Sequence, residues 1–185
     1  LLLRCVDAGF DSVMFDGSHR PFAENLQITS SLSAYCHERG VLLEGELGVI
    51  AGEEGPVKSK FSEFTDPDQA ECFVRESGVD FFAVSIGNAH GFYKGEPKLH
   101  FDLLEELVRR CPVPLVLHGG TGIPQEDIRR AIAMGICKVN VGTEIRSAYV
   151  SALYSYTQTH EKGDVRDFVK YLRAAVGTAS ERYME

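Results

Sequence analysis

The cysteines of this chain follow no pattern. Cys5, Cys36, Cys72, Cys111 and Cys137 are odd in number and widely scattered, with no C-x-x-C pair. That excludes a disulfide framework and a cysteine zinc site, and it fits a reducing compartment, the cytoplasm. Long apolar runs are missing too: no stretch approaches the roughly 20 residues that a membrane span needs, and nothing reads as a signal peptide. Basic charge is scarce. The 19 lysines and arginines against 27 acidic residues leave a net charge of −8, which argues against nucleic acid or an anionic membrane as partner, so an anionic ligand must be held by local groups. The glycines show neither G-x-G-x-x-G nor P-loop spacing, which removes the commonest nucleotide-binding fingerprints. The chain opens on Leu1 rather than Met, within a helical pattern, and we expect that an N-terminal portion is absent from it.

What is present is an ordinary globular composition, 44% hydrophobic and 25% charged over 185 residues, enough for one sizeable core in a single domain, 1–185. The chain is organised around Pro114-Leu115-Val116-Leu117-His118-Gly119-Gly120-Thr121-Gly122. Its apolar run is too short for a helix and reads as a buried parallel strand, which places His118 at the strand's C-terminal end, where α/β proteins bind ligands. The glycines allow close backbone approach, and the helix predicted from Gln125 to Met134 opens with N–H groups that can hold an anion.

The same unit recurs along the chain: short strand, polar or glycine-rich loop, amphipathic helix. Strands are predicted at Ser12–Phe15, Val41–Leu47, Phe81–Ile86, Pro114–Leu117 and Cys137–Val141. Helices are predicted at Phe22–Arg39, from Thr65-Asp66-Pro67-Asp68 to about Ser77, at Phe101–Arg110 and Gln125–Met134, from Glu144 to about Thr159, and from Val165 to about Thr178. The polar, glycine-bearing stretch 48–63 is longer than a structural connection needs and is expected to move as a lid. A doubly wound sheet binds at one switch point, whereas here all five strands lead into polar groups: Asp16, Glu46, His90, His118 and Asn140. Convergence of every loop on one face is barrel behaviour. The expected fold is therefore α/β, a (β/α)8 TIM barrel of which the C-terminal five strand–helix units are present. Since such a barrel takes roughly 250 residues, about three units are expected in front.

His90 and His118 each follow a strand and precede glycine. Neutral imidazole is the commonest metal ligand, and two on converging loops suit zinc, although a catalytic zinc takes three protein ligands and the third is unaccounted for. Singly, each histidine reads more readily as a hydrogen-bonded loop residue than as a ligand; the matching contexts of the pair reverse that order and favour the metal. Asp16 and Glu46 read as hard-cation ligands, as acid/base groups, or as helix caps and lysine partners. His19, His37, His100 and His160 are assigned no role.

Five segments in order resemble the class II, zinc-dependent fructose-bisphosphate and tagatose-bisphosphate aldolases: Ser12-Val13-Met14-Phe15-Asp16-Gly17-Ser18-His19, Glu44-Gly45-Glu46-Leu47-Gly48 with Gly52-Glu53-Glu54, Ala83-Val84-Ser85-Ile86-Gly87-Asn88-Ala89-His90-Gly91, Leu115 to Gly122, and Lys138-Val139-Asn140-Val141-Gly142-Thr143-Glu144. The resemblance runs from about Phe10 to about Phe168. It implies that His90 and His118 are two of three zinc ligands, with Asp16 and Glu46 around a second cation position. It implies a dihydroxyacetone-phosphate site at Gly91, Gly119, Gly120, Thr121, Asn140, Val141, Gly142 and Thr143, with Lys94 as a further phosphate contact and Arg146 at the second phosphate. Glu54 falls at a mobile-loop glutamate that moves a proton. The departure is the family's Asp-His pair, the catalytic acid and first zinc ligand: no Asp-His dipeptide occurs here.

The implied reaction is aldol cleavage or condensation of a ketose 1,6-bisphosphate, fructose or tagatose, to dihydroxyacetone phosphate and glyceraldehyde 3-phosphate. Zinc would act as Lewis acid in a homo-oligomer, a dimer or tetramer. A non-catalytic phosphosugar-binding or scaffold subunit of the same fold is the alternative, and retention of both histidines and Glu54 weighs against it.

Overall fold

Apolar side chains at every second position of the strands force one face of the sheet against helices. The computed structural model describes the chain except residues 55, 56, 60, 61, 94, 161 and 185 and the side chains of residues 53, 54 and 57–59. It comprises two compact units, Leu1–Asn140 and Val141–Glu185.

In the first unit, α1 (Leu2–Asp7) precedes β1 (Ser12–Phe15), α2 (Phe22–His37), β2 (Leu42–Leu47), a hairpin of β3 (Gly52–Glu54) and β4 (Val57–Ser59), α3 (Pro67–Ser77), β5 (Phe81–Val84), α4 (Phe101–Arg110), β6 (Leu115–Leu117), α5 (Gln125–Met134) and β7 (Ile136–Val139). The five main strands are all parallel and lie in the order β1-β2-β5-β6-β7. Chain order and spatial order coincide, so the sheet has no switch point. It is an arc of a barrel, as the distribution of polar loop residues predicts, and not a doubly wound sheet.

The helices form where their punctuation sits. Asp66 caps α3 by accepting from Gln69 N at 2.9 Å, Pro67 occupies the first turn, and Gly78 ends the helix in the left-handed conformation at φ 69°. That is the start and stop chemistry read from Thr65-Asp66-Pro67-Asp68. Val13, Leu43, Phe82, Val84, Leu115, Leu117 and Ile136 point to the helices and join Phe73, Leu104 and Leu107 in one core.

The opposite face is where the sequence analysis falls short. β6 and β7 pair Leu115 with Ile136 but Val116 with Lys138 and Leu117 with Val139, so Cys137 is an extra residue, a β-bulge. In a regular strand Lys138 would share the helix-facing side with Ile136, two positions away. The bulge reverses the alternation, sends Val139 to the core and turns Lys138 and then Asn140 toward Glu44 and His118; bulges near sites commonly re-aim side chains in this way.

The predicted strand Phe81–Ile86 ends earlier, at Val84. Buried Thr65 takes over there: its hydroxyl donates to Leu47 O at 2.6 Å and accepts from Ser85 N at 2.8 Å. The 48–63 stretch is not the plain loop its composition suggests but carries the β3–β4 hairpin, with its base tied by mutual Val49 and Glu63 hydrogen bonds of 2.8 Å and by a parallel bridge from Ala51 to Ala89.

The second unit is a helical hairpin, α6 (Thr143–Thr159) and α7 (Val165–Glu181). Tyr156 packs on Phe168 and Tyr171, and Asp164 caps α7 through Arg166 N at 2.8 Å. No helix among the described residues is long and apolar enough to cross a membrane.

Candidate functional site

The C-terminal ends of β1, β2 and β5 open onto a cavity of about 190 Å³ whose wall includes Asp16, His19, Glu46 and His90, with Met14 and Ile50 below. Three of the predicted residues thus meet in one place, joined by His19, to which the sequence assigns nothing. Asp16 also serves its own loop, accepting from Ser18 N at 2.9 Å; of the readings open for it, capping is present, but on a turn and not a helix.

Glu46 is 1% exposed. Its carbonyl accepts from Asn25 Nδ2 at 2.9 Å, and Asn25 is itself buried and held by Thr29 at 3.1 Å. The end of β2 is fixed from the helix side by an amide, at a position where water cannot compete.

His118 lies just past β6 and is 1% exposed. Its Nε2 is 2.8 Å from Glu44 Oε1 and 3.1 Å from the Asn140 amide nitrogen. Its Nδ1 is buried with no hydrogen bond among the described residues and lies 3.6 Å from Glu46 Oε2. Glu44 completes its bonding with Lys138 Nζ at 2.5 Å. Burial pushes the Glu44 carboxyl up, but the hydrogen bonds from His118 and Lys138 outweigh burial and hold it below the usual carboxylate range, as expected when the charged form is the one being bonded.

His90 reaches the site by another route. It follows a turn beyond β5 in which Asn88, 1% exposed, accepts from Ile86 N at 2.8 Å and donates to Val84 O and His118 O at 3.3 and 3.1 Å. His90 N donates to Ala51 O at 2.7 Å. Tyr93 OH accepts from Ala89 N at 2.8 Å and donates to Gly119 O at 3.2 Å; burial pushes its phenol up and keeps the proton in place for that bond. Buried Asn88 and half-buried Tyr93 therefore lock the His90 loop to the His118 loop, and the two imidazole centroids stand 5.8 Å apart.

Gly119, Gly120 and Thr121 continue from His118; Gly120 N donates to Asn140 O at 3.0 Å, and Thr121 is buried. Gly91, at φ 89°, faces open space. Val141, Gly142, Thr143 and Arg146 belong to the second unit, where Gly142 precedes α6 and Arg146 Nη2 donates to Thr143 Oγ1 at 3.2 Å. Lys94 and the Glu54 side chain fall outside the described residues.

A metal fits part of this donor set. With Nε2–H toward Glu44, His118 Nδ1 presents a lone pair on the side of the Glu46 carboxylate, 3.6 Å away, a nitrogen and an oxygen of the kinds that ligate zinc. Among the described residues no group of three or more His, Cys, Asp and Glu forms a complete metal cluster.

The sequence profile described as "Fructose-bisphosphate aldolase class-II" matches residues 1–185. The chain belongs to this class-II aldolase family. Among curated relatives, a fructose-bisphosphate aldolase of Geobacillus stearothermophilus is 49% identical over 148 residues, covering 80% of this chain and 52% of the relative. One from Staphylococcus epidermidis is 46% identical over 170 residues, covering 92% and 59%. The chain thus spans between about half and three fifths of the length of these curated relatives. Two solved structures share the fold: a putative fructose-1,6-biphosphate aldolase from Coccidioides immitis, TM-score 0.88 at 32% identity, with 99% of this chain and 65% of that one covered, and the YdjI aldolase from Escherichia coli K12, TM-score 0.82 at 35% identity, with 97% and 62% covered.

Glu44 and Lys138 are the residues that sequence reasoning missed. Glu44 could have been found: it is two positions from Glu46, hence on the same face of β2. Lys138 could not, because ordinary alternation puts it on the wrong face.

Proposed function

We propose that this chain carries the metal and phosphosugar half of an aldolase that cleaves or forms a ketose 1,6-bisphosphate, fructose or tagatose, through dihydroxyacetone phosphate and glyceraldehyde 3-phosphate. The observation that carries the reading is the pair of histidines on adjacent strand-end loops, 5.8 Å apart and backed by Glu44 and Glu46, in a chain of the class-II family. His90 and His118 would hold zinc, with Asp16 and Glu46 toward a second cation. Zinc bound there supplies Lewis-acid stabilisation of the negative charge that develops on the ketose oxygens.

The chain's own groups do the rest. Gly91 and Gly119 bring backbone N–H groups to a phosphate, in a turn completed by Thr121 and by Gly120, whose own N–H is bonded to Asn140 O, and binding energy from that remote group goes into positioning the C3–C4 bond. Asn140 is held beside His118 and offers its amide to the sugar. Glu54 on β3 moves the proton at the substrate carbon, and Lys94 adds a cation for the phosphate. In the second unit, taken by itself, the start of α6 with Val141, Gly142, Thr143 and Arg146 offers free N–H groups and a guanidinium to an anion. A cytoplasmic homo-oligomer is the setting we infer.

The test uses a chimaera in which these 185 residues replace the matching stretch of the Geobacillus stearothermophilus relative. Zinc-dependent cleavage of fructose 1,6-bisphosphate is expected, and a folded, zinc-loaded chimaera without turnover would refute the reading. The 185 residues alone are expected to be inactive, since two histidines hold zinc loosely. In the chimaera, Glu54→Ala should leave zinc bound and lower kcat by about 10²-fold, the range for one proton-transfer group; normal turnover would remove Glu54 from that role.

Substrate choice is expected to lean to tagatose bisphosphate or to be relaxed, because Gly142 has no side chain to recognise the C4 configuration. A Cβ at Gly142 would lie 2.6 Å from Arg146 Nη1, the far end of a flexible side chain, so Gly142→Asp is accommodated. It should move kcat/KM toward the fructose substrate by about 10-fold, equivalent to one hydrogen bond of about 1.4 kcal/mol. Parallel kinetics on both sugars check this.

A further inference from the structure

We infer that Glu44, held by Lys138, is a positioning residue that fixes His118 as its Nε2–H tautomer and leaves Nδ1 as the ring's donor atom. The role of Nδ1 toward zinc rests on the function proposed above; the tautomer assignment does not.

The geometry decides between the two ring nitrogens. A carboxylate oxygen is acceptor-only, so Glu44 Oε1 at 2.8 Å from His118 Nε2 requires a proton on that nitrogen. Asn140, 3.1 Å from the same atom, does not contest it, because its amide can present either oxygen or nitrogen to the ring. Glu44 has no such choice. On the other side, Nδ1 has no hydrogen bond among the described residues and lies 3.6 Å from Glu46 Oε2.

Lys138 makes the arrangement specific. It comes from the far strand of the sheet, reaches Glu44 Oε2 at 2.5 Å, and does so only because the bulge at Cys137 turns it inward. With Oε2 occupied by the ammonium group, Glu44 is left with Oε1 for the ring. A pair serving packing alone would be replaceable by apolar side chains of similar volume, often at no cost in stability, and would not care which nitrogen of His118 carries the proton. Partners that orient a ligating imidazole are commonly worth 10- to 100-fold in metal affinity.

The experiment is long-range ¹H–¹⁵N correlation NMR of the histidine-labelled protein at pH 8, with zinc titration of the same samples. Expected is a protonated, pyrrole-type Nε2 and a pyridine-type Nδ1 for His118. Glu44→Ala should give a mixture of tautomers and roughly 10- to 100-fold weaker zinc binding. Lys138→Met should move in the same direction, and Lys138→Arg should restore the wild-type pattern. A proton on Nδ1 in the wild-type protein overturns the assignment, as does an unchanged His118 pattern in folded Glu44→Ala or in Lys138→Met. If Glu44→Ala does not fold, the wild-type spectrum and the Lys138 pair decide. If the Nε2–H pattern is present and is lost in the variants while zinc binds none of the samples, the positioning role stands and the zinc reading fails.

Discussion

His118→Ala is expected to empty the chimaera of zinc, to abolish cleavage of fructose 1,6-bisphosphate, and to lower the stability of the 185-residue protein by about 3 kcal/mol in urea unfolding without metal. The three effects have separate causes. Zinc and turnover are lost because one of the two histidine donors proposed in this chain disappears, and among its described residues no group of three or more His, Cys, Asp and Glu offers a replacement site. Stability is lost because Glu44, 2% exposed, keeps Lys138 but loses the partner of Oε1, leaving a buried carboxylate oxygen without its proton donor. Removing one member of a buried charged contact costs about 3 to 5 kcal/mol, and the surviving Lys138 contact sets the value at the lower end. His118→Gln separates the causes: the amide can still donate to Glu44, so most of the stability should return while zinc does not. Zinc retained at one equivalent by His118→Ala would show that the metal lies elsewhere.

How far the sequence could be read depends on what each feature is made of. Helix ends written in local chemistry were legible: Asp66, Pro67 and Gly78 place α3 with no help from the rest of the chain, and Phe101–Arg110 and Gln125–Met134 coincide with α4 and α5. Strand existence was legible because short apolar runs alternate with amphipathic helices. The aldolase family was legible from five motifs and is borne out by the profile match over residues 1–185. Hidden from the sequence were features created between strands. Nothing in Ile136-Cys137-Lys138-Val139 announces a bulge, because the extra residue exists only relative to Leu115 and Val116 across the ladder. Thr65 gives no local sign that its hydroxyl will end β5 at Val84. His90 is likewise set by Asn88 and Tyr93, residues whose importance comes from reaching His118 O and Gly119 O in the neighbouring loop. The candidate ligands were visible as residue types; the bonds that aim them were not.

Those aiming contacts make one glycine more sensitive than its neighbours. Gly119→Ala is expected to destabilise the protein by about 2 to 5 kcal/mol, the sum of left-handed strain and forced repacking. Gly119 sits at φ 65°, and a Cβ there would stand 2.1 Å from Ala89 O and 2.6 Å from Ala89 C. Those are backbone atoms, one residue before His90, in a segment already held by Tyr93 OH on Ala89 N and by Ala51 O on His90 N. Neither loop can yield without breaking the bonds that set the spacing of the two imidazoles. Gly91→Ala is the matched control: its φ of 89° imposes similar backbone strain, but nothing lies within 4 Å of the added carbon, so about 1 to 2 kcal/mol is expected. Urea unfolding of both variants, with zinc titration of each, separates strain from contact. Gly119→Ala should lose both stability and zinc affinity, whereas Gly91→Ala should lose only the smaller increment of stability. Equal losses in the two variants would mean that the His90 and His118 loops can part freely, and that the hydrogen bonds of Asn88 and Tyr93 do not hold the histidine pair together.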